Sequence, residues 1–342
     1  MKAVVTGPPL ASKFVAALNE LGFAVTNGTP EALQQLGADV KAEPRELTEV
    51  ELASLLEDAD VYIYGGLEVA SGTALERAAR LKLIAFLGTG WADDGCVDKE
   101  AVNRLGIAVT NTPGANAPSV AEVTIGLLLS LQRQIPYLNA NTKAGTGRPT
   151  RLRDISGRRL GIIGLGAIGG RVAAHARMGF SMDVVYSGPH RKTEAEQRLD
   201  VTYAPLEELL SSSDYVTLHC PAAKTRGLIG AKEIELMKPG AFLINVASPE
   251  VVVAEPLIAA LRDGRLAGAA FDGYYKEPEA TRDAFLRLPD DKLILLPRSA
   301  WLTDDSYERM ASMSLQNIRA LLEGAPPPNL VNPEHRHATA NA

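Results

Sequence analysis

Positive charge, cysteine and long apolar runs are all scarce in this sequence, and each scarcity narrows the class of protein. The 342 residues include 35 Lys and Arg against 41 Asp and Glu, a net charge of −6. Binding to nucleic acid or to an anionic membrane surface needs a basic patch, so this balance argues against both partners. No apolar stretch reaches the roughly 20 residues of a transmembrane helix. The first five residues predict a strand rather than a signal peptide.

Only two cysteines are present, Cys96 and Cys220, far apart and in unrelated contexts. They are typical of reduced thiols in a cytoplasmic protein, and no metal-ligand spacing accompanies them. We therefore expect a cytoplasmic protein without a metal site. An apolar content of 46% and a charged content of 22% are ordinary for a globular protein, and the length allows two domains with substantial cores.

The strongest signal is a glycine triplet at residues 164–169, between a short apolar run and an alanine-rich helical pattern. In such a strand–turn–helix unit the first glycine allows the turn, the second lets backbone approach a pyrophosphate, and the third lets the helix pack closely. A plain βα turn is the alternative. The predicted dinucleotide contacts here are Gly164, Gly166, Ala167, Ile168 and Gly169.

Apolar runs and helical patterns alternate over residues 1–104, which predicts a parallel α/β layer. Two of its strands, 61–64 and 83–86, end at glycines. Ligands of open parallel sheets bind at the carboxyl ends of strands. Gly65, Gly66 and Gly88 are therefore candidate substrate contacts, with simple turns as the alternative.

Further along, residues 119–141 predict one long helix that is apolar on too many faces for a surface helix, so it should be buried between domains or between subunits. Strands are expected at 182–186, 215–221, 241–247, 266–272 and 293–297, then a helix over 303–322. The tail from Pro326 lacks periodicity and should be extended or mobile. A lone His219 at a strand end is more typical of a structural than of a catalytic residue.

Specificity for the dinucleotide should be set at the end of the strand after the glycine turn. An acidic residue there would bind the ribose 2′-hydroxyl of NAD, but this position is Ser187, with Arg191 and Lys192 behind it. A serine and two cations suit a 2′-phosphate. The sequence therefore favours NADP over NAD, with NAD possible; a solvated loop is the alternative.

Taken together, these segments resemble the D-isomer-specific 2-hydroxyacid dehydrogenases, which include phosphoglycerate, glyoxylate/hydroxypyruvate and D-lactate-type enzymes. The resemblance covers about residues 60–322. It rests on five ordered motifs, at 111–114 with 120–122, 160–169, 218–221 with 225–226, 237–240 with 245–247, and 268–272 with 277–278.

The resemblance implies two Rossmann-like, doubly wound α/β domains with parallel sheets. A flavodoxin-like substrate domain would comprise residues 1–104 and 300–342, with an NAD(P)-binding domain of residues 105–299 inserted. A hinged cleft and a homodimer built through the cofactor domain are also implied. Further cofactor contacts would be Cys220, Pro221, Val246, Ala247 and Asp272, the last holding the nicotinamide carboxamide.

The sequence departs from the family at two catalytic positions. Ser248 stands where the family has the arginine that clamps the substrate carboxylate, and Arg298 where it has the histidine that delivers a proton. Only the third catalytic position, Glu277, is retained. A guanidinium stays protonated at working pH and cannot act as that acid. Losing an acid costs about 10²- to 10⁴-fold in rate and losing a clamp about 10²- to 10³-fold, so ordinary 2-oxo acid reduction should be nearly silent.

One cation is thus lost at Ser248 and another gained at Arg298. Our hypothesis is that Arg298 pairs with Glu277 or anchors an anionic small-molecule substrate; drift is the alternative. We expect an NADP(H)-dependent oxidoreductase for a non-standard carbonyl, hydroxy acid or imine, since an imine that is already protonated needs no acid. A catalytically silent dinucleotide sensor or scaffold is the second interpretation. A lyase or epimerase with tightly held NADP is the third.

Overall fold

The computed structural model describes residues 1–7, 10–28, 47–66, 68–91, 95–275 and 278–335. The chain divides into two compact units. Unit 1 combines Met1–Asn116 with Asp304–Ala342, and unit 2 is the intervening segment Ala117–Thr303. Unit 1 is therefore built from two stretches of chain that are distant in sequence.

Unit 1 contains one parallel β-sheet. Its strands are β1 (Lys2–Val5), β2 (Ala24–Asn27), β3 (Val61–Tyr64), β4 (Leu83–Phe86) and β5 (Ala108–Thr110). They lie in the order β2-β1-β3-β4-β5, which is the flavodoxin-like order. All four residues of β3 are buried, as expected for a strand covered on both faces. The predicted flavodoxin-like layer is confirmed.

Helices flank this sheet. The described ones are α1 (Ser12–Glu20), α2 (Glu49–Leu56), α3 (Gly72–Glu76), α4 (Lys99–Arg104) and α14 (Asp304–Leu322). Helix α2 begins with a capping box in which the Thr48 and Glu51 side chains each bond the other's backbone N–H. Helix α14 returns from the far end of the sequence and packs against α1 and β4.

Unit 2 contains a second parallel sheet of seven strands. They are β6 (Arg159–Ile163), β7 (Asp183–Ser187), β8 (Thr202–Tyr203), β9 (Tyr215–Leu218), β10 (Ala241–Asn245), β11 (Leu266–Asp272) and β12 (Leu293–Leu296). Their order is β12-β11-β10-β9-β6-β7-β8. The strand order reverses between β6 and β9, which makes that point the topological switch of a doubly wound sheet. The predicted Rossmann-like fold is confirmed.

One long helix predicted from the sequence is two separate helices in unit 2. The helices of this unit are α5 (Ala117–Gln132), α6 (Ile135–Lys143), α7 (Ala167–Phe180), α8 (Thr193–Leu199), α9 (Leu206–Ser212), α10 (Ala222–Thr225), α11 (Ala231–Leu236), α12 (Ala254–Arg262) and α13 (Glu279–Leu286). The single helix expected over 119–141 is wrong, because the chain breaks at Gln134, whose φ is 49°. Pro136 explains the break, since proline starts a helix but cannot continue one. Helix α5 is largely buried, whereas α6 buries no residue.

In each of the two sheets, an aspartate carboxylate binds backbone at the amino-terminal ends of the strands. In unit 1 the Asp60 carboxylate accepts the Lys2 backbone N–H at 2.7 Å and pairs with Arg80 at 2.9 Å. In unit 2 the Asp214 carboxylate accepts the Arg159 backbone N–H at 2.9 Å. Each aspartate precedes one strand and binds the first residue of the neighbouring strand. Each thereby fixes the register of two central strands.

The chain beyond α14 is held to unit 1 as far as His335. Leu330 forms an antiparallel bridge with Thr110 on β5. The fully buried Asn332 accepts the Val109 N–H at 2.6 Å and donates to the Ile107 carbonyl at 2.9 Å. Of the two expected states, extended or mobile, the bridge at Leu330 agrees with the extended one, and Asn332 supplies hydrogen bonds to the edge of the sheet.

Within the described part of the chain, none of the helices combines the length and the apolar character needed to cross a membrane.

Candidate active site

The glycine turn lies between β6 and α7, at the switch point of the sheet of unit 2. Gly164 has a φ of 98°, and a Cβ atom there would lie 2.6 Å from the His219 carbonyl oxygen. A Cβ atom on Gly169 would lie 2.2 Å from the Gly164 carbonyl oxygen. By contrast, a Cβ atom on Gly166 would meet nothing within 4 Å. The two outer glycines thus permit close packing, while the middle one faces open space.

This turn is chemically suited to a phosphate group. Gly166 is the N-cap of the 14-residue helix α7 and provides no side-chain cap. The first N–H groups of a helix, here from Ala167 and Ile168 onward, have no partner inside the helix and carry a partial positive charge. A backbone that is open at Gly166 and rich in N–H donors fits a pyrophosphate.

The end of β7 carries a network that could not be read from the sequence. The Arg191 guanidinium forms a two-pronged ion pair with Glu196, with Nε–Oε1 at 2.9 Å and Nη2–Oε2 at 2.8 Å. Tyr186 donates to the same carboxylate at 2.7 Å and accepts the Lys192 backbone N–H at 2.6 Å. The hydrogen bonds from Arg191 and Tyr186 hold the pKa of Glu196 below its usual value.

Lys192 connects this network to the glycine turn. Its ammonium donates to the Leu165 carbonyl oxygen at 2.7 Å. Ser187 is buried at the end of β7 and bonds the turn through its carbonyl, which accepts the Gly164 N–H at 2.9 Å. The predicted residues Ser187, Arg191 and Lys192 therefore lie around one strand end, beside the turn. The carboxylate of Glu196, which sequence reasoning missed, partly neutralises Arg191.

The predicted cofactor contacts Cys220 and Pro221 lie just after the end of β9. Cys220 is buried, and the Thr225 hydroxyl donates to its sulfur at 3.4 Å, while burial raises the pKa of the thiol. The neighbouring His219 bonds Thr217 through Nε2 at 3.0 Å, and burial lowers its pKa to about 3. An imidazole that resists protonation this strongly favours the structural interpretation of His219 over a role as an acid.

The loop after β10 contains Val246, Ala247 and Ser248. The side chain of Asn245 fixes the conformation of this loop through hydrogen bonds to its backbone. The Asn245 side chain donates to the Ser248 carbonyl at 2.7 Å and accepts the Ala247 N–H at 3.0 Å. Val246 and Ala247 are half-buried, and Ser248 is 6% exposed. The loop is thus rigidly held, although no cation is present at residue 248.

The ends of β11 and β12 meet at Asp272. Its carboxylate accepts the backbone N–H groups of Ser299 at 2.7 Å and Ala300 at 3.0 Å. Burial raises the pKa of Asp272, whereas these two N–H groups and the positive charge of Arg298 act in the opposite direction. Asp272 therefore fixes the loop that carries Arg298.

Arg298 itself has an unusual backbone. Its φ of 61° lies in the left-handed region, which non-glycine residues rarely adopt, and its side chain is exposed. Strained backbone of this kind concentrates at functional sites. The predicted partner Glu277 lies outside the described residues, so the pairing of Arg298 with Glu277 stays a prediction.

The three substrate candidates lie in unit 1. Gly65 and Gly66 follow β3, and Gly88 follows β4, whose neighbour in the sheet is β3. Gly88 accepts two hydrogen bonds from Thr112, from N at 2.8 Å and from Oγ1 at 3.2 Å. The parallel sheet brings the three glycines to one edge, as expected. It also brings a residue that the sequence analysis did not select, the buried Glu68.

The family model of the D-isomer-specific 2-hydroxyacid dehydrogenases, in its NAD-binding domain, matches residues 125–300. This segment is more than half of the chain and includes the glycine turn, Ser248, Asp272 and Arg298. The chain belongs to the D-isomer-specific 2-hydroxyacid dehydrogenase family. The predicted resemblance is confirmed.

Among relatives in this dehydrogenase family, the glyoxylate reductase of Thermococcus gammatolerans is 35% identical over 318 residues, covering 90% of this chain and 93% of that protein. Solved structures are also similar to this chain over almost its whole length. The TT0316 protein of Thermus thermophilus matches with a TM-score of 0.81 and 32% identity over 97% of this chain and 100% of its own. An acyclic imino acid reductase (Bsp5), solved with NADPH and D-Arg, matches with a TM-score of 0.78 and 25% identity over 97% and 100%.

The protein is thus an oxidoreductase of the 2-hydroxyacid dehydrogenase family with a domain that binds a nicotinamide dinucleotide. The members of this family act on small hydroxy acids or the corresponding oxo acids. This chain shares the fold and the dinucleotide turn of that family.

Proposed function

We propose that this protein transfers hydride between NADP(H) and a non-standard small substrate, which is a carbonyl compound, a hydroxy acid or an imine. The observation that carries the proposal is the pair Ser248 and Arg298, on the loops after β10 and β12, with Asp272 between them on β11 and the dinucleotide turn intact. In this arrangement unit 2 binds the dinucleotide and unit 1 is the substrate domain.

A preference for NADP(H) is supported by the charges around β7. Ser187 supplies no carboxylate that would repel a 2′-phosphate, and the Glu196 carboxylate is engaged by Arg191 and Tyr186. The Lys192 ammonium lies at the glycine turn and can donate two further N–H bonds. The relative solved with NADPH supports the same preference.

When bound, the nicotinamide supplies or accepts the hydride. Asp272 uses two of the roughly four acceptor positions of a carboxylate for backbone N–H groups and retains capacity for a carboxamide N–H. Arg298 presents a fixed positive charge with a planar set of donors, which suits a carboxylate group of the substrate. Ser248 offers a neutral hydroxyl where the family has a guanidinium.

The same residues disfavour the family's ordinary reaction. Reduction of a 2-oxo acid needs a proton at the carbonyl oxygen, and neither Arg298 nor Ser248 is a practical acid near neutral pH. An iminium substrate needs none, because its nitrogen already carries the proton. The imino acid reductase among the structural relatives supports this choice within the proposed substrate class.

We also propose a homodimer in which helix α6 and the extended segment after it contact the partner. Helix α6 buries no residue in the single chain, although it begins with the exposed side chains of Ile135 and Tyr137. Residues 139–154 are almost entirely exposed. Apolar side chains on such a segment indicate a surface that a partner covers.

The decisive experiment is an assay of nicotinamide oxidation with NADPH, and separately NADH, across 2-oxo acids, aldehydes, ketones and preformed imines. We expect turnover of one class with NADPH and little reduction of glyoxylate. Saturable NADPH binding without turnover of any class would contradict the proposal in favour of a sensor or scaffold. Cofactor that remains bound through purification, with no net redox change, would favour a lyase or epimerase.

A further inference from the structure

Glu68 is a buried carboxylate to which the proposed reaction assigns no role. It follows β3 in unit 1 and is 4% exposed. The Tyr62 hydroxyl donates to its Oε1 atom at 2.5 Å. Within the described ranges, Oε2 accepts no hydrogen bond and no lysine, arginine or histidine pairs with the carboxylate. Because Oε2 is not among the fully enclosed side-chain atoms that lack a hydrogen bond, it is the oxygen of this largely buried acid that stays accessible.

Gly65, Thr6 and Tyr62 form a chain of hydrogen bonds in which Tyr62 donates to Glu68. The Gly65 N–H can only donate, and it donates to Thr6 Oγ1 at 3.5 Å. Thr6 Oγ1 and the Tyr62 hydroxyl are 3.2 Å apart. Because Tyr62 gives its one proton to Glu68, the Thr6 hydroxyl donates to Tyr62. The chain of donors therefore ends on the Glu68 carboxylate.

The position of Glu68 is fixed as well as its charge. The Tyr64 hydroxyl donates to the Glu68 carbonyl oxygen. Tyr62 and Tyr64 lie two residues apart on one face of β3, both are buried, and their ring centroids are 5.5 Å apart. One tyrosine therefore holds the backbone of Glu68 and the other holds its side chain. Burial and the Glu68 carboxylate raise the pKa of Tyr62, which keeps this donor protonated.

Gly66 makes room for the carboxylate. A Cβ atom on Gly66 would lie 1.9 Å from Glu68 Oε2. The carboxylate thus occupies the space where a side chain of residue 66 would stand. Gly66 is itself half-buried and belongs to the loop that the sequence analysis assigned to the substrate.

Within the described ranges, Glu68 is a largely buried carboxylate that no cation pairs with, and such a group suits a ligand that supplies the opposite charge. We propose that Glu68 binds a cationic nitrogen of the substrate through Oε2. This inference rests on the proposed function and narrows it. The substrate carries a protonated nitrogen, present either as an iminium at the reacting carbon or as an ammonium or guanidinium on its side chain.

For the iminium, the atoms and electrons balance without an acid from the protein. Hydride from NADPH adds to the iminium carbon, and the π electron pair of the C=N bond moves onto nitrogen. The products are the amine and NADP⁺, and the amine then takes a proton from solvent. For a cationic side chain, Glu68 acts on binding alone.

The kinetic test compares substrates with and without a cationic side chain. 2-Oxo-5-guanidinopentanoate is compared with 2-oxohexanoate, whose side chain carries no charge, and each 2-oxo acid is assayed with and without methylamine, which forms the imine. If Glu68 binds the guanidinium, KM should be about 10- to 100-fold lower for 2-oxo-5-guanidinopentanoate than for 2-oxohexanoate. If it binds the iminium, KM should be lower by the same factor for each 2-oxo acid with methylamine than without it. Glu68→Gln should remove that difference by raising KM, with little change in kcat. Glu76→Gln, at an exposed residue that pairs with Arg104, is the matched control.

A binding test works without turnover. Methylguanidinium is titrated into the protein and followed by NMR, with wild type, Glu68→Gln and Gly66→Ala. Gly66→Ala keeps the charge but displaces Oε2, so both variants should lose saturable binding. A circular dichroism melt confirms that each variant is folded.

The outcomes separate this inference from the proposed function. Turnover with equal KM for the cationic and neutral members, or methylguanidinium binding that survives in Glu68→Gln, overturns the role of Glu68 and leaves the oxidoreductase intact. Absence of turnover with methylguanidinium binding that depends on Glu68 overturns the proposed function alone. Absence of both turnover and binding overturns both.

Discussion

Helix α7 packs so closely on the turn before it that a Cβ atom on Gly169 would lie 2.2 Å from the Gly164 carbonyl oxygen. That oxygen belongs to backbone and cannot rotate away. At the next residue, Gly170, the nearest atom to an added Cβ is Leu199 Cδ1 at 3.9 Å. Two adjacent glycines in one helix therefore have opposite tolerance for a methyl group.

Gly169→Ala should weaken both dinucleotide binding and stability. The methyl group must push α7 away from the turn, at a cost of about 1–3 kcal/mol. We expect at least a tenfold higher Kd for NADPH and a lower Tm. Gly170→Ala is the control and should leave Kd unchanged and hold or raise Tm, since alanine is the better helix former. Equal Kd values for the two variants would contradict the close-packing argument.

Lys192→Met should reduce affinity for NADPH more than for NADH. The ammonium at Leu165 is partly solvated, so its loss should raise the Kd of NADPH by roughly tenfold. Arg198→Leu, an exposed change on α8, should have no effect. The measurement is fluorescence titration of both nucleotides. The same fold-change for NADH and NADPH would show that Lys192 supports the shared pyrophosphate and not the 2′-phosphate.

Restoring the family's pair should restore the family's reaction. In the double variant Ser248→Arg/Arg298→His we expect glyoxylate reduction to rise by at least about 10²-fold, because a clamp and an acid are both supplied. Histidine also adopts the left-handed backbone of residue 298 more readily than most residues. If wild type already reduces glyoxylate as fast as the double variant, the substituted positions are not limiting.

The proposed homodimer should depend on helix α6. Ile135→Glu and Tyr137→Glu each place a charge on the surface that the partner covers, and the double variant should be monomeric in analytical ultracentrifugation. Met178→Glu is the control, since that side chain is 87% exposed on α7. A wild-type protein that sediments as a monomer at micromolar concentration would rule out this dimer.

Asp60 should make part of the stability depend on pH. Burial raises its pKa, but the Lys2 N–H and the Arg80 guanidinium outweigh burial and hold it below the usual 3.8. The stabilisation is therefore present above pH 3.8 and is lost as pH falls through the lower pKa of the folded protein. Asp60→Asn should flatten the fall of unfolding free energy in acid. Asp58→Asn, at an exposed neighbour, should not.

Much of the fold could be predicted from the sequence because the relevant signals are local. The apolar runs at 61–64 and 83–86 coincide with β3 and β4, and the glycine triplet coincides with the turn before α7. The long helix was mispredicted because apolar character continues past Gln134, while Pro136 ends one helix and starts the next.

The candidate site was less predictable because its contacts join residues that are distant in sequence. The ion pair between Arg191 and Glu196 changes the charge around Ser187, and nothing in the local pattern indicates that Tyr186 also binds this carboxylate. Glu68 stands alone among apolar and small residues, which was the one available signal. Its burial, which distinguishes it from an ordinary surface glutamate, depends on tertiary contacts that the local sequence does not encode.

The discontinuity of unit 1 imposes an order on synthesis. Residues 117–303 form unit 2 as one uninterrupted stretch, so that unit can fold while the rest of the chain is still being made. Unit 1 lacks helix α14 and the edge contact from Asn332 until the last segment has left the ribosome. The edge of β5 therefore lacks this partner throughout the synthesis of unit 2, and an unpaired strand edge is open to pairing with another chain.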